Sequence, residues 1–280
     1  MGVRPSRHSR GGSPIRYAII SDIHANQEAL LAVLAAIAAE RIDRIVCLGD
    51  LVGYYANPNE CVRLVEAQGI PCIRGNHDAV AAGLHEPIDF TETARHAILW
   101  TKIQLTSDTM DRLRQLPVCQ VIDDQFVIVH GALHPQPNEH VRLNTPEQAR
   151  ESFHQLLSGY PGLRICFFGH THHQAVYEWQ KGQISSVSGE CIALKSGAHY
   201  LANPGSVGQS RSSDPRAGFL VFDASAQTLQ FHRIDYDWRL PRRKAEQAGL
   251  LPRRSLLRRS ASWLWHHSRP ARHRVSAFST

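Results

Sequence analysis

Five short clusters of Asp, Asn and His stand along the first two thirds of this 280-residue chain. They are Asp22-x-His24, Gly49-Asp50, Gly75-Asn76-His77-Asp78, His130-Gly131 and Gly169-His170-x-His172. Carboxylate, imidazole and amide oxygen together, with no thiolate among them, suit Mn²⁺, Fe or Zn²⁺ better than Ca²⁺. Asp22, His24, Asp50, Asn76, His130, His170 and His172 make seven candidate ligands. Seven exceed one tetrahedral site and suit two ions that share a carboxylate and leave room for water and substrate. Two ions roughly 3.5–4 Å apart activate water at neutral pH and clamp the oxygens of a phosphoryl group in an in-line displacement. His77, next to Asn76 but facing substrate, is placed to donate a proton to a leaving oxygen, with Asp78 orienting it.

Such residues act together only if the fold gathers them, and the flanking segments explain how it would. Arg16–Ile20, Arg44–Leu48, Ile70–Ile73, Phe126–Val129 and Ile165–Phe168 read as apolar strands, each ending at one of the clusters. Ligands collect at the carboxyl ends of strands in open α/β sheets, and neighbouring strands lie roughly 4.8 Å apart, so adjacent ends can share an ion. The glycines before Asp50, Asn76 and His170 allow sharp turns there. Between the strands, Ala29–Glu40 is a run of strong helix formers with Asn26 as N-cap, and Pro58–Gln68 is a helix stopped by Gly69. This β-α-β-α-β order predicts a parallel sheet with helices on both faces.

Phe90–Leu116 has helical periodicity broken near Thr106-Ser107-Asp108, a helical pair inserted at about residues 80–117. Pro146–Leu157 is a helix capped by Thr145. After residue 175 the pattern changes to short strands, Ala175–Trp179, Ile184–Val187, Tyr200–Ala202, Gly218–Phe222 and Thr228–Ile234, which predict a second, mainly antiparallel sheet. Arg243–Leu264 is a basic, partly amphipathic helical stretch interrupted at Leu251-Pro252. The resulting division is a basic N-terminal segment 1–14 without order, a domain 15–237, a basic helical segment 238–265 and an aperiodic tail 266–280.

The formal charge of +6 hides a gradient. Residues 238–280 carry eleven Arg or Lys against one acid, Glu246, whereas residues 15–237 hold 17 basic and 24 acidic residues. Six cysteines without a Cys-x-x-Cys pair suit a reducing compartment. No membrane-length apolar run and no secretory h-region are present, so the expected location is the cytoplasm.

The five blocks, in this order, resemble the calcineurin-like metallophosphoesterase superfamily over roughly residues 16–237. The small prokaryotic phosphodiesterase branch is the most similar. Its members resemble this chain at Ser21-Asp22-Ile23-His24-Ala25-Asn26, Gly49-Asp50-Leu51-Val52-Gly53-Tyr54 and Asn203-Pro204-Gly205-Ser206-Val207-Gly208, with Asp214-Pro215-Arg216-Ala217 in the same late segment. The resemblance implies a fold of the α/β class, a four-layer α/β/β/α sandwich of two mixed sheets. It implies one metal on Asp22, His24, Asp50 and His172, and a second on Asp50, Asn76, His130 and His170, with Asp50 as the bridge. It places His77 as general acid or transition-state stabiliser. It implies two divalent ions, Mn²⁺ first, with Fe, Zn²⁺ or Ni²⁺ as alternatives. Protein Ser/Thr phosphatases and symmetric dinucleoside tetraphosphatases typically place a phosphate-gripping Arg after Gly-Asp; Gly53, Tyr54 and Tyr55 stand there instead, although Arg74 is shared with them.

The candidate substrate contacts are Asn76, Arg74, Asn203, Gly205 and Arg211. The Asn203–Ser206 turn could offer backbone N–H groups to phosphate or could simply be a tight turn near the metals. Arg211 and Arg216 could grip phosphate or pair with a nearby acid. His173 reads as a solvent-facing neighbour, and His85, His96, His134, His140, His154, His199 and His232 show no ligand spacing. The leading expectation is hydrolysis of a phosphodiester or small phosphomonoester. The rivals are a dinucleoside polyphosphate or phosphoprotein phosphatase and, from another class, a protein that binds nucleic acid or an anionic surface through its basic tail. Against the tail reading stands a C-terminal helix that packs its apolar stripe on the core. A homo-oligomer is also open.

Overall fold

The central strands of this chain are apolar on both sides because they are covered on both sides. In the computed structural model, which describes residues 15–251, β1 (Arg16–Ile20) sends Tyr17 and Ile19 to one core and Ala18 and Ile20 to another. The same alternation sorts β4 (Phe126–Val129), β5 (Ile165–Phe167), β9 (His199–Pro204) and β10 (Ala217–Asp223). A period of two on a doubly covered strand requires layers above and below it.

The layers form an α/β/β/α sandwich. One sheet has five strands: β2 (Arg44–Cys47), β1, β10, β11 (Thr228–Ile234) and β8 (Cys191–Ala193), in that order. The other has six: β3 (Cys119–Ile122), β4, β5, β9, β6 (Gln174–Gln180) and β7 (Gln183–Val187). Both are mixed; β1 runs parallel to β2 and antiparallel to β10, and β9 runs parallel to β5 and antiparallel to β6. Tyr17, Phe126, Phe167 and Phe222 meet between the sheets, with ring centroids 4.9 Å apart for the edge-on pairs Tyr17–Phe126 and Phe126–Phe167. The outer face of the five-stranded sheet is covered by α1 (Gln27–Ala38), α2 (Pro58–Ala67), α3 (Asn76–Ala81), α4 (Glu92–Gln104) and α5 (Ser107–Gln115). The outer face of the other sheet is covered by α6 (Pro146–Gly159).

Caps fall where the side chains dictate. Asn26 accepts from Ala29 N at the start of α1, and Thr145 accepts from Gln148 N at the start of α6. The helical pair expected over Phe90–Leu116 is α4 and α5, separated at Leu105-Thr106. α7 (Arg239–Gln247) packs on the same body: Ala245 and Leu250 are buried with Ala97, and Lys244 Nζ lies 2.6 Å from Glu28. The helical stretch therefore starts before Arg243 and is docked. Its continuation from residue 252, the tail 266–280 and the N-terminal 1–14 lie outside the described residues.

Three expectations need correction. Ile70–Ile73 is not a strand; it makes one isolated parallel bridge, Cys47 to Cys72, because Pro71 has no N–H to donate and the chain turns away at Arg74, whose N–H bonds to Pro117 O. The first sheet carries helices on one face only, since its other face packs on the second sheet. The late strands do not form a sheet of their own: β8, β10 and β11 complete the first sheet, and β6, β7 and β9 complete the second. Alternation shows that a strand is covered on both sides, but not which sheet it joins. Among the described residues no helix is long and apolar enough to cross a membrane.

Candidate metal centre

The loops after the strands keep pairing after the strands end. Asp22 N bonds to Gly49 O (3.0 Å), His24 N to Asp50 O (2.9 Å) and Ala25 N to Leu51 O (2.9 Å), so the first two clusters lie side by side. Gly169 N bonds to His130 O (2.7 Å), joining the fourth and fifth. The two halves are tied by His170 N to Asp22 Oδ2 (3.2 Å) and by Val207 N to Ser21 O (2.9 Å). Asp22, His24, Asp50, His170 and His172, five of the seven proposed ligands, take left-handed backbone angles (φ 52–65°). Such residues cost of order 1–3 kcal/mol each, and strain of this kind collects at functional sites.

Gly49 (φ +91°) turns the chain as expected. Gly75 does not: its φ is −94°, and its role is close approach, since a Cβ there would collide with Asp50 Oδ1.

Six of the seven donors fall into two groups, and the seventh, Asn76, lines the cleft beside them with a buried, unpartnered Oδ1. Asp22, His24 and His172 bring ligand atoms within 4.8 Å of one another, and so do Asp50, His130 and His170. Asp50 Oδ2 lies 3.6 Å from His24 Nε2 and 3.3 Å from His130 Nε2, so one oxygen faces both groups. Its Oδ1 accepts from His77 N (2.9 Å), which fixes the carboxylate. Asp22 Oδ1 lies 3.2 Å from His172 Nε2, while its Oδ2 accepts from Ser21 Oγ (2.6 Å).

The imidazoles are held from behind. His24 Nδ1 faces Val52 O (3.1 Å), His130 Nδ1 faces Leu48 O (2.8 Å) and His172 Nδ1 faces Gln209 O (2.5 Å). A ring nitrogen facing a carbonyl must carry the proton, which leaves Nε2 with its lone pair free. His24 Nε2 and His172 Nε2 then point lone pairs at each other across 3.1 Å. That arrangement suits two ligands of one ion, whose bonds of about 2.0–2.1 Å would set them roughly 3.3 Å apart. His170 is reversed: Nε2 faces His140 O (3.1 Å), leaving Nδ1 free. Asp22 Oδ1, Asp50 Oδ2, Asn76 Oδ1 and His130 Nε2 are buried and have no hydrogen-bond partner. Buried polar atoms are rarely orphaned, and here they converge, so the residues fit two cations.

Charge agrees. Burial alone would raise both carboxylates, yet His172 beside Asp22 and His130 beside Asp50 hold them below the usual range. Burial pulls His77 down to about 4 and His170 to about 3, while Asp50 overrides burial and lifts His130 to about 10; the proton this places on His130 Nε2 is the one a bound cation would displace.

The remaining sequence candidates separate. Asp78 does not face the His77 ring; it accepts from Leu51 N (2.9 Å), Val52 N (3.2 Å) and Gly75 N (3.0 Å), so it pins two ligand loops by their backbones. Burial and the Asp50 charge push it up to about 7. Arg74 turns to Glu139 (3.8 Å) and Leu116 O, away from the cleft. Asn203 donates to Gly169 O (2.7 Å) and Thr171 Oγ1 (3.1 Å) and accepts from Gly205 N (2.9 Å), and Gly205 abuts Gln174. The Asn203–Ser206 turn is thus a clasp on the ligand loops, with Ser206 Oγ donating to Asp22 O (2.8 Å). Arg216 pairs with Asp214 at 2.8 Å, and His173 is exposed.

Arg211 does reach the site. With Tyr54, Asn76, His77, Phe90, Arg142 and His170 it lines a cleft of about 240 Å³ beside the metal ligands. The His77 ring lies between Tyr54 (4.9 Å) and Phe90 (4.5 Å), its Nδ1 buried without a partner. Phe90, Arg142 and His140 were not among the sequence candidates; they sit in connecting loops, where no periodicity marks them. His85 and His140, 55 residues apart, also meet, with Glu139 beside them.

A four-layer sandwich with six nitrogen and oxygen donors grouped around two positions at its strand ends, and Asn76 beside them, defines a metallophosphoesterase. Residues 15–227 match the family model described as the calcineurin-like phosphoesterase superfamily domain. An uncharacterised protein of Methanocaldococcus jannaschii is 35% identical over 223 residues, covering 79% of this chain and 87% of that one. A metallophosphoesterase from Sphaerobacter thermophilus of known crystal structure is 34% identical, with a TM-score of 0.70 over 86% of this chain and 96% of that one. A hypothetical protein of Pyrococcus horikoshii, 18% identical, shares the fold with a TM-score of 0.69 over 85% of this chain and 95% of that one. The chain belongs to the calcineurin-like phosphoesterase superfamily, a family of dinuclear metal-dependent phosphoester hydrolases.

Proposed function

We propose that this protein hydrolyses a phosphodiester or small phosphomonoester at two divalent ions, Mn²⁺ first among the candidates, with Asp50 as the shared ligand. The observation that carries this reading is the single Asp50 oxygen, buried and without a hydrogen-bond partner, facing His24 on one side and His130 on the other. Asp22, His24 and His172 would hold one ion, and Asn76, His130 and His170 the other. When bound, the two ions lower the pKa of water and offset charge on the phosphoryl oxygens.

The protein's own groups do the rest. The carbonyls of Val52, Leu48 and Gln209 fix the ligand tautomers, so the centre needs little rearrangement during the reaction. His77 is neutral at neutral pH, so it contributes an N–H donor toward the leaving oxygen rather than a stored proton. Tyr54 and Phe90 hold its ring in the cleft wall. Arg211 and Arg142 line the other part of the cleft and suit negative charge beyond the scissile group. For that reason a dinucleoside polyphosphate stays as the second reading.

The test is hydrolysis of a chromogenic phosphodiester, the matching monoester and a dinucleoside polyphosphate by metal-stripped protein, before and after reloading with Mn²⁺. Diester turnover restored by metal supports the leading reading. Turnover of the monoester alone would make the protein a phosphatase. Turnover of the dinucleoside polyphosphate alone would favour the second reading, and activity indifferent to stripping would defeat the metal assignment.

A further inference from the structure

A second set of metal-type donors lies at the edge of the cleft, outside the seven-ligand centre. His85 belongs to the loop between α3 and α4, and Glu139 and His140 to the loop between β4 and α6. Their donor atoms all lie within 4.8 Å of one another. His85 Nδ1 is 3.1 Å from His140 Nε2 and 3.6 Å from Glu139 Oε1. Ligands bound at about 2.0–2.2 Å around one tetrahedral ion stand roughly 3.3–3.5 Å apart, so this spacing needs only small adjustments.

The carboxylate supplies an independent sign. Glu139 is 4% exposed, and its Oε1 is buried without a hydrogen-bond partner. The guanidinium of Arg74 approaches it only to 3.8 Å, too far for a hydrogen bond, and its Nε is itself unpartnered. Arg74 therefore balances part of the charge without satisfying the oxygen. The loop that carries Glu139 and His140 is pinned: Ala132 and Asn138 exchange two backbone hydrogen bonds of 2.9 Å, and Asn138 Oδ1 accepts from His140 N at 2.8 Å. The side chain of His85 is 40% exposed, which leaves one side open to water.

We propose that His85, Glu139 and His140 form a third, mononuclear site for a borderline divalent cation such as Zn²⁺, completed by water. Two imidazoles and one carboxylate are a sufficient protein ligand set for Zn²⁺. The site is weaker than the dinuclear centre, because it has a single carboxylate and a guanidinium beside it. It also touches that centre: the His140 carbonyl accepts from His170 Nε2, and the His140 ring lines the cleft. An ion at this site fixes the residue that orients a ligand of the second metal.

The test is Zn²⁺ stoichiometry by equilibrium dialysis with elemental analysis, joined to anomalous diffraction at the zinc edge from the same protein. Wild type is expected to hold three equivalents per chain, and His85→Ala and Glu139→Gln two. Asp50→Asn, which damages the dinuclear centre, is expected to keep the third ion, with an anomalous peak between His85 and His140. His85→Ala is the safer variant for folding, given its exposed side chain, and an unchanged melting curve would verify that. The same zinc count in His85→Ala as in wild type, or no peak at these residues, would overturn the proposal. Wild-type protein that holds all three ions yet turns over none of the phosphate esters would count against the functional reading alone.

Discussion

The metal cradle and the cleft rim are built from neighbouring loops but by opposite means. In the cradle, side chains are nearly inaccessible, each ring is held by a carbonyl behind it, and five ligands sit at backbone angles that only a surrounding hydrogen-bond frame sustains. On the rim, Arg142 and Arg211 are exposed, and Arg211 has one long bond, Nη1 to His170 O at 3.4 Å. Tyr54 and Phe90 pack their rings against His77, and the Arg211 guanidinium lies beside the Tyr54 hydroxyl. A preorganised cradle serves a reaction whose charge pattern does not vary, whereas a loosely held rim can be changed without disturbing it. The division predicts large, coupled effects in the cradle and small, separable ones on the rim.

The largest effect is expected at Asp50. Asp50→Asn removes the one oxygen that faces both ligand groups, so both ions should be lost together. Hydrolysis should fall by on the order of 10²–10³-fold or more. Elemental analysis and diester turnover check this, and loss of a single ion with activity kept would break the bridging assignment. Next comes Gly75→Ala. The added methyl would collide with Asp50 Oδ1 although the backbone angle itself suits alanine. Activity should fall roughly 10–100-fold, the usual cost of disturbing a ligand's support, while the protein stays folded. Gly162→Ala, where nothing lies within 4 Å but the backbone is left-handed, is the contrast: the strained backbone should cost stability while turnover per folded molecule is spared.

How far the sequence could be read follows the same division. The seven candidate ligands could be singled out because they stand in short clusters, four of them directly after a strand, and β1, β4 and α6 were legible because period and caps are local. The assignment of β8, β10 and β11 to the first sheet was not, since pairing between residues as distant as Arg16 and Asp223 leaves no local mark. Asp78 was misread for a related reason. Its place beside His77 in the chain suggested a partner for that ring, but on a helix successive side chains diverge, and its carboxylate turns to the Leu51 and Val52 amides instead. Arg74 and Asn203 were read as substrate contacts from their motifs; Asn203 is bonded to the ligand loops, and Arg74 lies toward Glu139 and Leu116 O. Phe90 was read only as the start of a helical run, and Arg142 gave no signal, because a place on the rim is marked by neither a period nor a cap.

Asn203 tests the frame that supports the cradle. Asn203→Ala removes two donor bonds and one acceptor bond in a fully buried place, leaving Gly205 N without its partner, while Gly169 O keeps its bond from Thr171 N (2.7 Å). The expected loss is about 1–3 kcal/mol of stability from the unsatisfied group. Because Asn203 holds the loop between His170 and His172, weaker metal retention should accompany it. A denaturant titration and a chelator competition measure the two. Lost stability with unchanged metal affinity would separate the clasp from the cradle and weaken the idea that the frame sustains the ligand geometry.

Arg211 gives the smallest expected effect and the sharpest discrimination. Arg211→Gln removes a guanidinium from the rim and only one long bond from the protein, so stability and metal content should match wild type. If Arg211 meets substrate charge, KM should rise by about tenfold, the loss of one charged hydrogen bond, with kcat nearly unchanged. The rise should be greater for a substrate with charge beyond the scissile group than for a simple diester. Added salt should narrow the gap between variant and wild type, because an exposed charge is screened within about 10 Å at 0.1 M ionic strength. A fall in kcat at constant KM would instead place Arg211 in the transition state, and the boundary between rim and cradle would have to be redrawn to include it.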